Sequence, residues 1–114
     1  MSVEIYGIKN CDTMKKALKW LDDQRVSYVF HDYKKEGTDA GVLKKAIAEH
    51  GWEQVINRRG TTWRNLPEDI KENMDETHAL EIAQDNPSII KRPLLLHKNT
   101  VFLGFSEAVY TEIF

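Results

Sequence analysis

A single cysteine, few prolines and glycines, no long apolar run and no excess of either charge are the first things the 114 residues show. One Cys excludes an internal disulfide and a cysteine-cluster metal site, and the four His are scattered without ligand spacing. The longest apolar runs, such as Leu94-Leu95-Leu96, are far too short to span a bilayer, so no membrane association is expected. Sixteen Lys and Arg against eighteen Asp and Glu give a net charge of -2, which leaves no general basic face and predicts no direct nucleic-acid binding. No charged n-region or apolar h-region precedes the strand signal at Val3, so a cytoplasmic location is expected. Neither internal repeats nor low-complexity segments occur. What remains is an ordinary soluble composition, 41% apolar and 30% charged, long enough for one domain over residues 1–114 and too short for two.

The most informative stretch runs from Val3 to Leu18. Val3 and Ile5 alternate with Glu4, the period of a half-buried strand, whereas Met14, Ala17, Leu18 and Leu21 fall on one helix face. The change of period places Cys11 at a strand-to-helix junction, with Asn10 and Asp12 on either side as capping types. There the unsatisfied amides and the positive end of the helix dipole favour an anion, and a thiolate is one. A free Cys ionises near pH ~8.5, but helix N-termini and neighbouring cations bring the value to roughly 3.5 to 7.5. Lys9, Lys15 and Lys16 lie nearby in sequence. A buried, inert thiol is the alternative at this stage.

Helix one is predicted to end near Gln24, and the aromatic and β-branched run Val26 to Tyr33 reads as a second strand, parallel to the first because a crossover helix joins them. Asp39 caps a helix with Val42, Leu43, Ala46, Ile47 and His50 on one face, closed by Gly51. Asn57 to Arg64 is the most basic segment, with three arginines in seven residues able to fork onto a carboxylate or oxyanion, or simply to form a solvated loop. Pro67 starts a short helix over Glu68 to Asn73, and Asp75 caps another that Asn86-Pro87 stops. Strand signals return at Pro93 to His97 and Thr100 to Leu103, joined by Lys98-Asn99 as a hairpin. Ser106 caps a last helix, with Phe105 stapled against Tyr110 and Val109, Tyr110 and Ile113 facing inward.

The order β-α-β, helices, β-β-α, with a Cys opening the first helix and an X-Pro before the third strand, resembles the thioredoxin fold. Tyr6-Gly-Ile-Lys-Asn-Cys-Asp-Thr-Met-Lys-Lys-Ala, Phe30-His-Asp-Tyr-Lys-Lys-Glu-Gly, Asn57-Arg-Arg-Gly-Thr-Thr-Trp-Arg, Ile90-Lys-Arg-Pro and Gly104-Phe resemble, at matching spacings, the YffB-like branch of the arsenate reductase (ArsC/Spx) family. The resemblance implies an α/β, thioredoxin-like core with a four-stranded mixed sheet over residues 1–37 and 88–114. It also implies a helical insertion over 38–87 and a cis bond before Pro93, facing Cys11. It makes Cys11 the nucleophile and Arg92 an oxyanion-binding arginine, with Arg58 or Arg59 its counterpart in the insertion.

The departures from the family pattern narrow the chemistry. Phe102-Leu103-Gly104 stands where such arsenate reductases carry a third arginine, and Gly7 and Met14 replace a His and a Ser near the Cys. That leaves too little to grip a multiply charged oxyanion, so arsenate reduction is the minor expectation. Met14 also occupies the second position of the Cys-x-x-Cys switch found in the Spx branch. The expectation is therefore a monothiol thiol-disulfide reductase, with no bound cofactor and glutathione as cosubstrate. Cys11 attacks, and Arg92, Arg58, Arg59, Lys9 and Asn10 bind or polarise the substrate. Pro93 would offer a backbone edge to the peptide part of glutathione. The competing expectation is an Spx-like protein that binds the RNA polymerase α-subunit without catalysis.

Overall fold

Alternation in the first residues and a helical period after Cys11 do produce a strand and a helix. The computed structural model describes residues 3–114. In chain order the elements are β1 (Val3–Gly7), α1 (Asp12–Asp23), β2 (Tyr28–Asp32), α2 (Tyr33–Glu36), α3 (Ala40–His50), α4 (Trp52–Val55), α5 (Thr61–Arg64), α6 (Glu68–Glu72) and α7 (Glu76–Asp85). A 3-10 turn over Pro87–Ile89, β3 (Leu94–His97), β4 (Thr100–Leu103) and α8 (Glu107–Ile113) complete the chain. The chain divides into two units, one built from residues up to Glu36 together with Arg92–Phe114, the other from Gly37–Lys91.

The first unit is a four-stranded mixed sheet in the order β2-β1-β3-β4. Ile5 pairs with Phe30 in parallel and with Leu95 in antiparallel, and Leu95 pairs with Phe102. This is the α/β, thioredoxin-like arrangement expected. Its core gathers Val3, Ile5 and Leu95 from the sheet, Met14, Ala17 and Leu21 from α1 and Tyr110 from α8, so the 3.6-residue stripe of α1 is the face that is buried. Strand β2 is shorter than Val26 to Tyr33, because Tyr33 opens α2 and the Asp32 carboxylate accepts the amide of Lys34 at 2.9 Å. Lys98 and Asn99 both take positive φ, 51° and 60°, the twist that a two-residue hairpin turn requires. The Phe105–Tyr110 staple forms edge to face at 4.9 Å. Val109 does not face inward as expected but is 44% exposed, since the short α8 commits Tyr110 to the core and turns its neighbour to solvent.

His31 on β2 ties this unit together electrostatically. Its Nε2 lies 3.0 Å from Glu4 and its Nδ1 2.9 Å from Glu36, while its ring stacks on Tyr6 at 4.5 Å. Burial disfavours the imidazolium, but the two carboxylates outweigh it and the pKa is raised. A raised folded-state pKa means that this contribution is complete below about 6.5, the unfolded value, and is lost as pH rises through the folded one. The stability difference between the native chain and His31→Gln, measured by urea unfolding, is therefore expected to be largest between about pH 5 and 6.5 and to shrink toward pH 8. A difference that is constant or grows with pH would contradict the arrangement.

The second unit is helical. Asp39 caps α3 by accepting the amide of Val42, and Asp75 caps α7 by accepting that of His78. Leu43, Ala46, Ile47, Val55, Ile56, Ala79, Ala83, Ile89 and Ile90 are its buried residues. One bridge pairs Ile56 with Ile90, and the amide of Lys91 reaches the Val55 carbonyl at 2.8 Å. These bonds carry residues 88–91 with the second unit, so the boundary expected at residue 88 falls at Arg92.

Candidate functional site

Strand β1 ends at Gly7 and three residues carry the chain to Cys11, which is itself the N-cap of α1 in extended conformation. Asn10 and Asp12 flank the cap but do not provide it. The Cys11 carbonyl accepts the amide of Lys15 at 2.9 Å, fixing the residue to the first turn. The thiol is half-buried and free. Burial is the strongest single influence on it and opposes ionisation. It is outweighed by the amide of Met14, the hydrogen bond and charge of Arg92 and the amide of Thr13, so the Cys11 pKa is lowered. Helix amides and one guanidinium, acting together, hold the sulfur toward its anionic form.

Arg92 reaches Cys11 from the segment just before β3. The Arg92–Pro93 peptide bond is cis, as the resemblance implied. Pro93 is buried, and its carbonyl accepts the amide of Gly104 at 2.9 Å. Its ring nitrogen carries no hydrogen, so any backbone edge at Pro93 is limited to the carbonyl, which already accepts one hydrogen bond within the hairpin. Lys9 and Asn10 are exposed on the loop beside the cysteine, and Arg92, not Lys9, supplies the cationic influence on the sulfur.

Two tyrosines that sequence reasoning left in strands belong to this neighbourhood. Tyr6 and Tyr33 are buried, with ring centroids 6.5 Å apart. Burial pushes the Tyr33 phenol well up, Tyr6 adds to it, and the Arg92 charge opposes both. The Tyr33 ring is thus a neutral wall within the influence of the Arg92 charge. Their signal in the sequence was only the spacing of aromatics at the ends of β1 and β2. Met14 is fully buried behind the cap, and a Cβ placed on Gly7 would lie 2.5 Å from its sulfur. Gly7 is the space that Met14 fills.

Arg58 and Arg59 belong to the second unit. Both are exposed, and with Asn57 and Lys91 they line a polar cleft of about 440 Å³. The Arg58 guanidinium also lies 5.8 Å from the Trp52 ring centre, and Trp52 faces Trp63 at 6.1 Å. Asn57 accepts the amide of Arg59 at 3.3 Å. The basic segment is therefore not a plain solvated loop: it closes into α5 and presents its first two arginines on one cleft.

A solved structure described as the YFFB protein is 48% identical, with a TM-score of 0.94 and 97% of each chain covered. An arsenate reductase (ArsC) related protein from Brucella melitensis is 52% identical, with a TM-score of 0.78, covering 98% of this chain and 93% of that one. The global transcriptional regulator Spx of Streptococcus agalactiae is 27% identical over 107 residues, which are 92% of this chain and 77% of the regulator. With the ArsC family pattern matching residues 6–113, from the end of β1 through Cys11 and Arg92 to α8, the chain belongs to the ArsC family.

Proposed function

We propose that the protein is a glutathione-dependent thiol-disulfide reductase of monothiol type. The observation that carries the reading is the lone thiol at the N-cap of α1, biased toward thiolate by Arg92, with buried Met14 where a resolving cysteine would stand. The Cys11 thiolate attacks the glutathione sulfur of a mixed disulfide. A Cys11–glutathione disulfide forms, and the substrate leaves as its thiolate. Free glutathione thiolate then attacks the glutathione sulfur held by Cys11, releasing oxidised glutathione and restoring the Cys11 thiolate. Together the two steps turn one free glutathione thiolate and the mixed disulfide into the substrate thiolate and oxidised glutathione, one S–S bond being exchanged for another. Arg92 stabilises the sulfur anion before attack and again on release.

Mass spectrometry after treatment with oxidised glutathione tests this. One adduct at Cys11 is expected, removed stoichiometrically by reduced glutathione. An adduct that reduced glutathione does not remove would make Cys11 a sensor, and no adduct would end the proposal. The similarity to Spx supports a second reading, a protein that binds the RNA polymerase α-subunit without turnover. Retention of purified α-subunit on the immobilised protein, undiminished by Cys11→Ser, would favour it.

A further inference from the structure

Charge is not spread evenly along the chain. Residues 68–85, spanning α6 and α7, hold seven carboxylates against a single lysine, Lys71, while the chain as a whole carries only -2. The lysine and the histidine of this stretch are already engaged. The Lys71 ammonium donates to the Arg64 carbonyl at 3.0 Å and lies 3.5 Å from Glu68, and His78 is held by Asp75 at 2.8 Å. Among the described residues no ion pair involves Asp69 or Glu81.

These two carboxylates rim a groove of about 360 Å³ whose apolar residues are Ile70 from α6 and Ile82 from α7. Ile70 is 39% exposed, one of the few large aliphatic side chains left at the surface. Folding gains little from an aliphatic chain kept in water, or from acids without counter-charges beside it. An occupant that covers Ile70 and Ile82 while bringing cations to Asp69 and Glu81 resolves both. We propose that this groove docks a basic peptide segment of another protein. The segment sets one aliphatic or aromatic side chain over Ile70 and Ile82 and places Lys or Arg on either side of it. The negative field steers such a segment and repels anionic surfaces, and the apolar anchor holds it. This chain's own basic stretch is a poor rival as occupant, because Trp63, its apolar anchor, is packed against Trp52 at 6.1 Å.

The test is a titration of the full chain, isotopically labelled, with a synthetic amphipathic peptide of leucine and lysine and with its glutamate-for-lysine analogue. Fluorescence anisotropy at low and high salt and NMR shifts are the readouts. The lysine peptide should bind saturably and weaken at high salt, the glutamate peptide should not bind, and shifts should gather on Ile70, Asn73 and Ile82. Ile70→Lys and Glu81→Lys should each weaken binding by about tenfold or more, the loss expected of a central anchor or charge, with thermal unfolding unchanged. Binding that Ile70→Lys leaves intact, or shifts scattered over carboxylates elsewhere, would overturn the proposal. So would concentration-dependent dimers in sedimentation that Ile70→Lys abolishes, since the occupant would then be a second copy.

Discussion

Replacing Arg92 with methionine is expected to slow attack of Cys11 on a disulfide roughly 10- to 100-fold. A hydrogen bond to a charged partner is worth about 1.5–3 kcal/mol and each ~1.4 kcal/mol is a factor of ten. Arg92 contributes to the sulfur through both a hydrogen bond and its charge, and only the helix amides share that task. The midpoint of alkylation against pH should move upward in the same variant, because the amides of Met14 and Thr13 then face the opposing effect of burial with less help. Arg92→Lys should fall between, keeping the charge but losing the planar fork. Cys11→Ser sets the floor, with no adduct and no turnover. Stopped-flow alkylation across a pH series separates these cases, and an Arg92→Met profile that overlays the native one would remove Arg92 from the site.

The second large effect concerns Gly7 and Met14. Met14 is fully buried, so Met14→Ala should cost about 2–5 kcal/mol, the usual range for emptying a core position. Gly7→Ala sets a methyl 2.5 Å from the Met14 sulfur and 2.9 Å from its terminal carbon. The atoms met are the flexible end of a fully buried side chain, so a cost toward the lower end of about 1–3 kcal/mol is expected. In the double variant the new methyl enters the space vacated by the methionine. Its loss should be smaller than the sum of the single losses by about 1–2 kcal/mol, within the range found for touching residues. Guanidinium unfolding of the four proteins gives the coupling directly. Additivity to within about 0.5 kcal/mol would mean that the two positions do not share one volume.

These two predictions also mark how much was legible in the sequence. The placing of Cys11 at a helix start came from a change of hydrophobic period, and α1 buries the residues that the period named. The hairpin, the Asp39 and Asp75 caps and the Phe105 staple were equally local, fixed by capping chemistry and turn conformation over a few residues. Arg92 beside Cys11 was another matter. Nothing local brings together two residues some eighty positions apart; they meet because β3 pairs with β1, and before the structure only the family resemblance suggested it. The hydrogen bond from Gly104 to the Pro93 carbonyl was hidden for a similar reason, since it crosses a hairpin whose register the sequence does not print. Tyr6 and Tyr33 were hidden because an aromatic at the end of a strand looks the same whether it faces solvent, core or a guanidinium. Val109 was misassigned because a helix of two turns can bury one large side chain without burying its neighbour.

The first unit is assembled from two separated pieces of chain, and this orders events during synthesis. Cys11 leaves the ribosome about eighty residues before Arg92, an interval of roughly 4–16 s at ordinary elongation rates of ~5–20 residues per second. Through that interval β1 has only β2 to pair with and the sulfur has no guanidinium beside it. The nascent thiol therefore lacks one of the influences that lower its pKa, and gains it only when β3 docks and the polypeptide is nearly finished. The last fifth of the chain thus completes the surroundings of a group laid down in its first tenth.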